Sequence, residues 1–313
     1  MMVVVVVWML SQQQLGPGGF STCGLHCISS LADLKVSLAR TVREELRRRV
    51  VVENNNHSEL PTIYVITPTY PRPEQIPELT RLAQTLMNVP NIYWLVTDDT
   101  DTPNQDLIDY LTFTNIPHTY LITPMPPEYS GHKVKPKGVA NRNAGMEWLR
   151  QHASKGVVYF ADDDNTYDIR LFQEMRYTEK VSMWPVGLVS KEGLSTPVVS
   201  EGKFQGWFDG WIGGRTFPVD MAGFAVSVQY LLGVPNAAMP YKPGHEEDGF
   251  LRSLHISPND IEFKAEQCTK LYVWHTQTKK SRHQPNIIFK KKYDNTNIRV
   301  LQELLRFQPE KST

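Results

Sequence analysis

Val157-Val158-Tyr159-Phe160-Ala161 runs straight into Asp162-Asp163-Asp164, a continuous apolar stretch that ends in three carboxylates. A strand that is apolar at every position is buried on both faces, as in a parallel sheet covered by helices. Upstream, apolar runs at 63–67, 92–96 and 120–122 alternate with helical segments around 76–87, 105–112 and 139–151. This β-α-β-α repetition predicts an α/β fold with a mostly parallel sheet, and such sheets bind ligands beyond the carboxyl ends of their strands. The aspartate triplet stands at such an end. After about residue 181 the sequence is richer in Gly, Pro and Trp and less periodic, which predicts a mixed region packed on that sheet.

The chain of 313 residues is long enough for a substantial core. Lys plus Arg and Asp plus Glu are equal at 33 each, so no overall field draws it to nucleic acid or to an anionic membrane, and an anionic ligand must be held by local charge. Cys23, Cys27 and Cys268 are too few and too scattered for a disulfide framework or a four-ligand zinc site. Residues 1–30 read as an apolar, uncharged segment, interrupted at Ser11-Gln12-Gln13-Gln14 and so an imperfect anchor against the roughly 20 residues of a spanning helix. Leu34, Leu38, Val42, Leu46 and Val50 then mark a helical stripe, and a polar run with three asparagines follows, so 31–60 reads as stem helix and linker. Asn56-His57-Ser58 is a glycosylation sequon. The remaining span, 61–313, is the expected catalytic domain.

Crowded carboxylates repel by roughly 1 kcal/mol per close pair even in a water-like dielectric, and a divalent cation resolves that repulsion. Oxygen ligands suit Mg²⁺ or Mn²⁺, which take one or two carboxylates and complete their shell with phosphate oxygens and water. A solvated acidic turn before the next helix is the competing reading of the triplet. Lys137 and Arg142 flank Gly138 at a helix start, an arrangement suited to a pyrophosphate. His275 ends the apolar run Leu271-Tyr272-Val273-Trp274, and Asp220 precedes the small residues Ala222 and Gly223. In Gly244-His245-Glu246-Glu247-Asp248 each acid is a chemically plausible base, and the helix macrodipole alone also accounts for acids at a helix start.

Taken in order, Pro68-Thr69-Tyr70, Asp98-Asp99, Lys137-Gly138 to Arg142-Asn143, Asp162-Asp163-Asp164, Phe217-Pro218-Val219-Asp220-Met221-Ala222-Gly223-Phe224-Ala225-Val226, Gly244-His245 to Glu247, and Trp274-His275-Thr276 resemble the β1,3-glucuronosyltransferases of the animal secretory pathway. The resemblance implies a GT-A glycosyltransferase fold, a nucleotide-binding half followed by an acceptor-binding half, and transfer of glucuronate from UDP-glucuronate to the 3-hydroxyl of a terminal β-galactose with inversion. It also implies Mn²⁺, a homodimer, and a type II Golgi membrane protein with a lumenal catalytic domain. By the same resemblance Tyr70 and Asp99 contact the uridine, Asp163 the ribose, and Asp164 the metal. Lys137, Arg142 and Asp162 lie on the donor side, Arg215, Asp220 and His275 surround the donor sugar and nucleotide, and Trp211 falls near the acceptor. The motif selects Glu247 as catalytic base and leaves Glu246 in an apolar slot. Four positions depart from the pattern: Lys137 replaces an Arg, Gln277 stands where an Arg is common, and Asp248 and Gly249 make Glu247-Asp248-Gly249 of the family's Glu-Ser-Ser. Fewer guanidinium groups leave open a second UDP-sugar, such as UDP-xylose or UDP-N-acetylglucosamine, and a catalytically silent glycan-binding descendant is the reading from another class.

Overall fold

Ile63, Val65, Ile66, Trp94, Leu95, Val96, Val158 and Phe160 are all fully buried, which only a sheet covered on both faces allows. In the computed structural model, which describes residues 60–278, 291, 295–298 and 301, these side chains belong to three parallel strands. They are β1 (Ile63–Thr69), β2 (Ile92–Asp98) and β4 (Val157–Phe160), with β3 (His118–Ile122) beyond β2. The apolar start, the stem and linker, Cys23, Cys27 and Asn56 lie outside the described residues.

Helix α1 (Gln75–Leu86) buries Leu79, Leu82, Ala83 and Leu86, a stripe at helical spacing that packs on one face with Val65 and Trp94. Helix α2 (Gln105–Thr114) joins that layer and is capped by the Asn104 side chain, which accepts from the Leu107 N–H at 3.3 Å. A short turn, α3 (Pro127–Ser130), precedes α4 (Val139–His152), which covers the opposite face with Val139, Met146 and Leu149 against Ile66 and Leu95. Gly145 permits that approach, because a Cβ there would stand 2.8 Å from Ile66 Cγ2.

The strands β6 (Val181–Met183), β10 (Phe224–Ser227) and β11 (Ile261–Phe263) complete a seven-stranded sheet ordered β11-β6-β10-β4-β1-β2-β3. Of these, β10 alone runs against its neighbours. The chain winds outward from β1 through β2 to β3 and returns to the other side of β1 as β4, so the order reverses between β1 and β4. Ligands of open α/β sheets bind at such a switch point. A second sheet, ordered β5-β12-β7-β8-β9, is built from β5 (Thr166–Tyr167), β7 (Val186–Gly187), β8 (Leu194–Ser200), β9 (Lys203–Phe208) and β12 (Val273–Trp274). Helices α5 (Ile169–Met175), α6 (Val228–Leu232) and α7 (Glu246–Ser253) fill the connections. The expected α/β class holds, with a parallel first half followed by a mixed second half.

Candidate active site

The carboxyl ends of β1 and β4 are adjacent, and the aspartate triplet emerges there with a different setting for each carboxylate. Asp162 forms an ion pair with the buried Arg142 guanidinium, and its carbonyl accepts from Tyr167 Oη at 2.8 Å. Asp163 is buried and accepts from Thr69 Oγ1 and from Arg72 Nη2, each at 2.7 Å. Asp164 differs: among the described residues its carboxylate has no hydrogen bond or ion pair, while its carbonyl is tied to Thr276 Oγ1 at 2.6 Å. Burial raises the pKa of both Asp163 and Asp164, and Asp162 adds repulsion to each. A cleft of about 830 Å³ opens beside Asp164 and is lined by Glu74, Ile76, Arg81, Thr166, Thr276 and Gln277.

Near the end of β1, the Tyr70 ring is exposed and the Arg72 guanidinium lies 4.5 Å from its centre. Asp99 Oδ1 accepts from the Met125 N–H at 2.7 Å, which holds the segment after β3 against the end of β2. Asn141 performs a similar task from α4, donating to the Thr97 carbonyl at 2.8 Å and to Thr123 Oγ1 at 2.7 Å. Gly138 has φ 71°, and a Cβ would come within 2.5 Å of Arg142 Nη1, so the start of α4 requires glycine for Arg142 to reach Asp162. The structure separates the two cations paired in the sequence: Arg142 is buried in the site, whereas Lys137 is exposed and contributes its carbonyl, 3.5 Å from Arg142 Nη1.

On the other side of the site, β12 delivers His275 to Asp220, with Nδ1 2.9 Å from Oδ2, while Asp220 Oδ1 accepts from the Ala222 N–H at 3.0 Å. The hydrogen bond to Asp220, reinforced by its charge and opposed by burial, raises His275 to about 9, so the imidazole is protonated at neutral pH. Glu247 lies in the first turn of α7. It is half-buried, and burial is the largest cause that raises its pKa to about 7. Asp220 and Glu246 push in the same direction and Arg142 opposes them, which places Glu247 electrostatically within the same site as the triplet. A carboxyl with that value is poised for proton transfer near neutral pH.

Trp211 and Arg215 form a cluster of their own, the guanidinium 4.4 Å from the indole and 3.1 Å from Asp209 Oδ1. Trp211 meets His245 edge-on at 5.7 Å, and this joins the cluster to the start of α7. Sequence reasoning missed Arg72 and Asp209, gave Thr69 no role of its own, and weighed Asp248 only as a candidate base. Arg72 stands between two prolines, two residues after Tyr70, and nothing in that spacing pointed to Asp163, which is 91 residues away in the chain. Of Glu246, Glu247 and Asp248, the third turns out to be buried, with its Oδ1 accepting two backbone N–H groups.

The profile of glycosyltransferase family 43 matches residues 82–279. The chain is 53% identical over 247 residues to galactosylgalactosylxylosylprotein 3-beta-glucuronosyltransferase P of Drosophila melanogaster, covering 78% of this chain and 51% of that protein. It is 49% identical over 263 residues to the S enzyme of the same organism, covering 83% and 64%. To enzyme 2 of Mus musculus it is 42% identical over 291 residues, covering 90% and 88%. The chain thus spans about half to two thirds of the length of the Drosophila proteins and most of the mouse one. A profile match over most of the chain, together with such identities across it, establishes that the chain belongs to glycosyltransferase family 43.

Proposed function

We propose that this chain transfers glucuronate from UDP-glucuronate to the 3-hydroxyl of a terminal β-galactose on a glycoprotein or proteoglycan glycan, with inversion at the anomeric carbon. The observation that carries the reading is Arg142, whose guanidinium pairs with Asp162 of the triplet and also acts electrostatically on Glu247. One buried cation thereby links the diphosphate side of the site to a carboxyl with a pKa of about 7. The names of the relatives, all 3-beta-glucuronosyltransferases, support the donor and the linkage.

In this mechanism Glu247 removes the proton from the acceptor hydroxyl as its oxygen bonds to the anomeric carbon and the bond to the β-phosphate oxygen breaks. Tyr70 and Asp99 hold the uridine and Asp163 the ribose, while Trp211 lies against the acceptor and Arg215 and Asp220 against the donor sugar. Protonated His275, Arg142 and Lys137 offset charge on the departing UDP, and Asp220 keeps the His275 ring in place. For a metal, the donor chemistry fits: Asp164 offers a carboxylate with no hydrogen bond or ion pair among the described residues, crowded by Asp163 and Asp162. Such a carboxylate suits a hard cation whose other ligands are phosphate oxygens and water. Held by Asp164, Mn²⁺ would supply Lewis-acid neutralisation of the diphosphate.

A homodimer and a lumenal Golgi location belong to the same proposal. Among the described residues no helix is long and apolar enough to cross a membrane. Gln277, at 3.3 Å from His275 Nε2, favours a second reading in which a neutral UDP-sugar is used. Incubating the purified protein with a β-galactoside and UDP-glucuronate, UDP-xylose or UDP-N-acetylglucosamine, with and without Mn²⁺, tests both. Metal-dependent UDP release with UDP-glucuronate alone is the expected result, and equal turnover of a neutral donor would displace the reading.

A further inference from the structure

Asp248 takes no part in the chemistry above, although it follows Glu247 directly. It is 2% exposed, and its Oδ1 accepts the backbone N–H groups of Thr216 at 2.7 Å and Phe217 at 2.9 Å. Its other oxygen lies 3.7 Å from Arg252 Nη1, one helical turn along α7. Successive residues on a helix differ by about 100° in direction, so Glu247 can face the cleft while Asp248 faces the segment before Asp220. Gly249, the next residue, packs against Pro240, where a Cβ would stand 2.4 Å from Pro240 Cγ and 2.8 Å from its Cδ. That proline begins the run to Gly244, at φ 77°, whose own Cβ would be 2.8 Å from Trp211 Cζ3. The first turn of α7 therefore contacts two segments that also touch each other through Trp211.

We propose that Asp248 is a positioning residue: its carboxylate straps the segment bearing Trp211 and Arg215 to the helical turn that carries Glu247, and so sets the base against the groups that hold the two sugars. The role rests on Glu247 being the base. A carboxylate that accepts two backbone N–H groups makes charge-assisted bonds, stronger than neutral ones, and its removal leaves the buried Phe217 amide without a partner. The segment would then relax away from α7, and a displacement of about 1 Å is enough to cost on the order of 10²-fold in rate.

The test compares Asp248→Asn, which keeps an oxygen at the Oδ1 position, with Asp248→Ala and Asp248→Ser, which do not reach both amides. Amide hydrogen exchange at Thr216 and Phe217 is read alongside acceptor kinetics and UDP affinity in Mn²⁺. Asp248→Ala should speed exchange at those two amides and lower kcat/KM for the acceptor on the order of 10- to 100-fold, with UDP affinity unchanged. Asp248→Asn should restore slow exchange and most of the activity. Should Asp248→Ala fail to fold, Asp248→Ser carries the same comparison. Unchanged exchange in the Ala or Ser variant, an Asn variant as impaired as Ala, or a loss of UDP affinity in step with activity would overturn the proposal. If the unaltered protein transferred no glucuronate, the reading of its function would fail, while the exchange data would still decide the strap.

Discussion

Replacing Glu247 by Gln preserves the size of the side chain and removes the proton acceptor, and the structure sets how the loss should vary with pH. Burial, helped by Asp220 and Glu246 and opposed by Arg142, raises the carboxyl to about 7. A base with that value is about half ionised at pH 7, about a tenth at pH 6 and about a hundredth at pH 5. The unaltered kcat/KM should therefore fall about tenfold per unit below pH 7. Glu247→Gln has no group to titrate and should run flat, at least about 10²-fold below the unaltered protein at pH 8. The two profiles then converge near pH 5, where the unaltered protein has itself lost about a hundredfold. Initial rates of UDP release at low acceptor concentration, measured across this range for both proteins, give the comparison. An acid limb that survives in Glu247→Gln, or a deficit that stays constant across pH, would refute the assignment of the base.

The same carboxyl affects stability. Its folded pKa lies above the unfolded value, so stability is greatest below about 4.5 and falls as pH rises through about 7. Thermal melts should show Glu247→Gln more stable than the unaltered protein at pH 8 and equal to it at pH 4. Asp164→Ala removes a carboxylate that Asp163 and Asp162 repel, so calorimetry should show metal-supported UDP binding abolished with the melting temperature unchanged or higher. On the proposed function, in which the imidazolium held by Asp220 offsets charge on the diphosphate, His275→Ala should raise the donor KM more than it lowers kcat. In the unaltered protein the His275–Asp220 contribution to stability is full below about 6.5 and is lost as pH rises through about 9, which pH-dependent melts of the variant and the parent would reveal.

Periodicity made the sheet legible because strands buried on both faces must be apolar throughout, and β1, β2, β4, α1 and α4 follow the sequence pattern to within a few residues. The aspartate triplet was legible for a related reason: a buried strand that ends in charge must end at a crevice. Arg72 and Asp248 were not, because their partners lie 91 and 31 to 32 residues away and no local spacing encodes such pairs. The different settings of Lys137 and Arg142 were not legible either, because the sequence shows two cations flanking Gly138 and not that Arg142 fills the space beside that glycine while the lysine side chain is exposed.

The central claim is the linkage made, and the most direct measurement is the proton NMR spectrum of the product isolated after incubation with UDP-glucuronate, Mn²⁺ and a terminal β-galactoside. The account predicts one new glucuronate residue with a β-anomeric proton, attached at the 3-position of the galactose, and none when Glu247→Gln replaces the unaltered protein over the same interval. An α-linked product, attachment at another hydroxyl, or transfer undiminished in Glu247→Gln would contradict it.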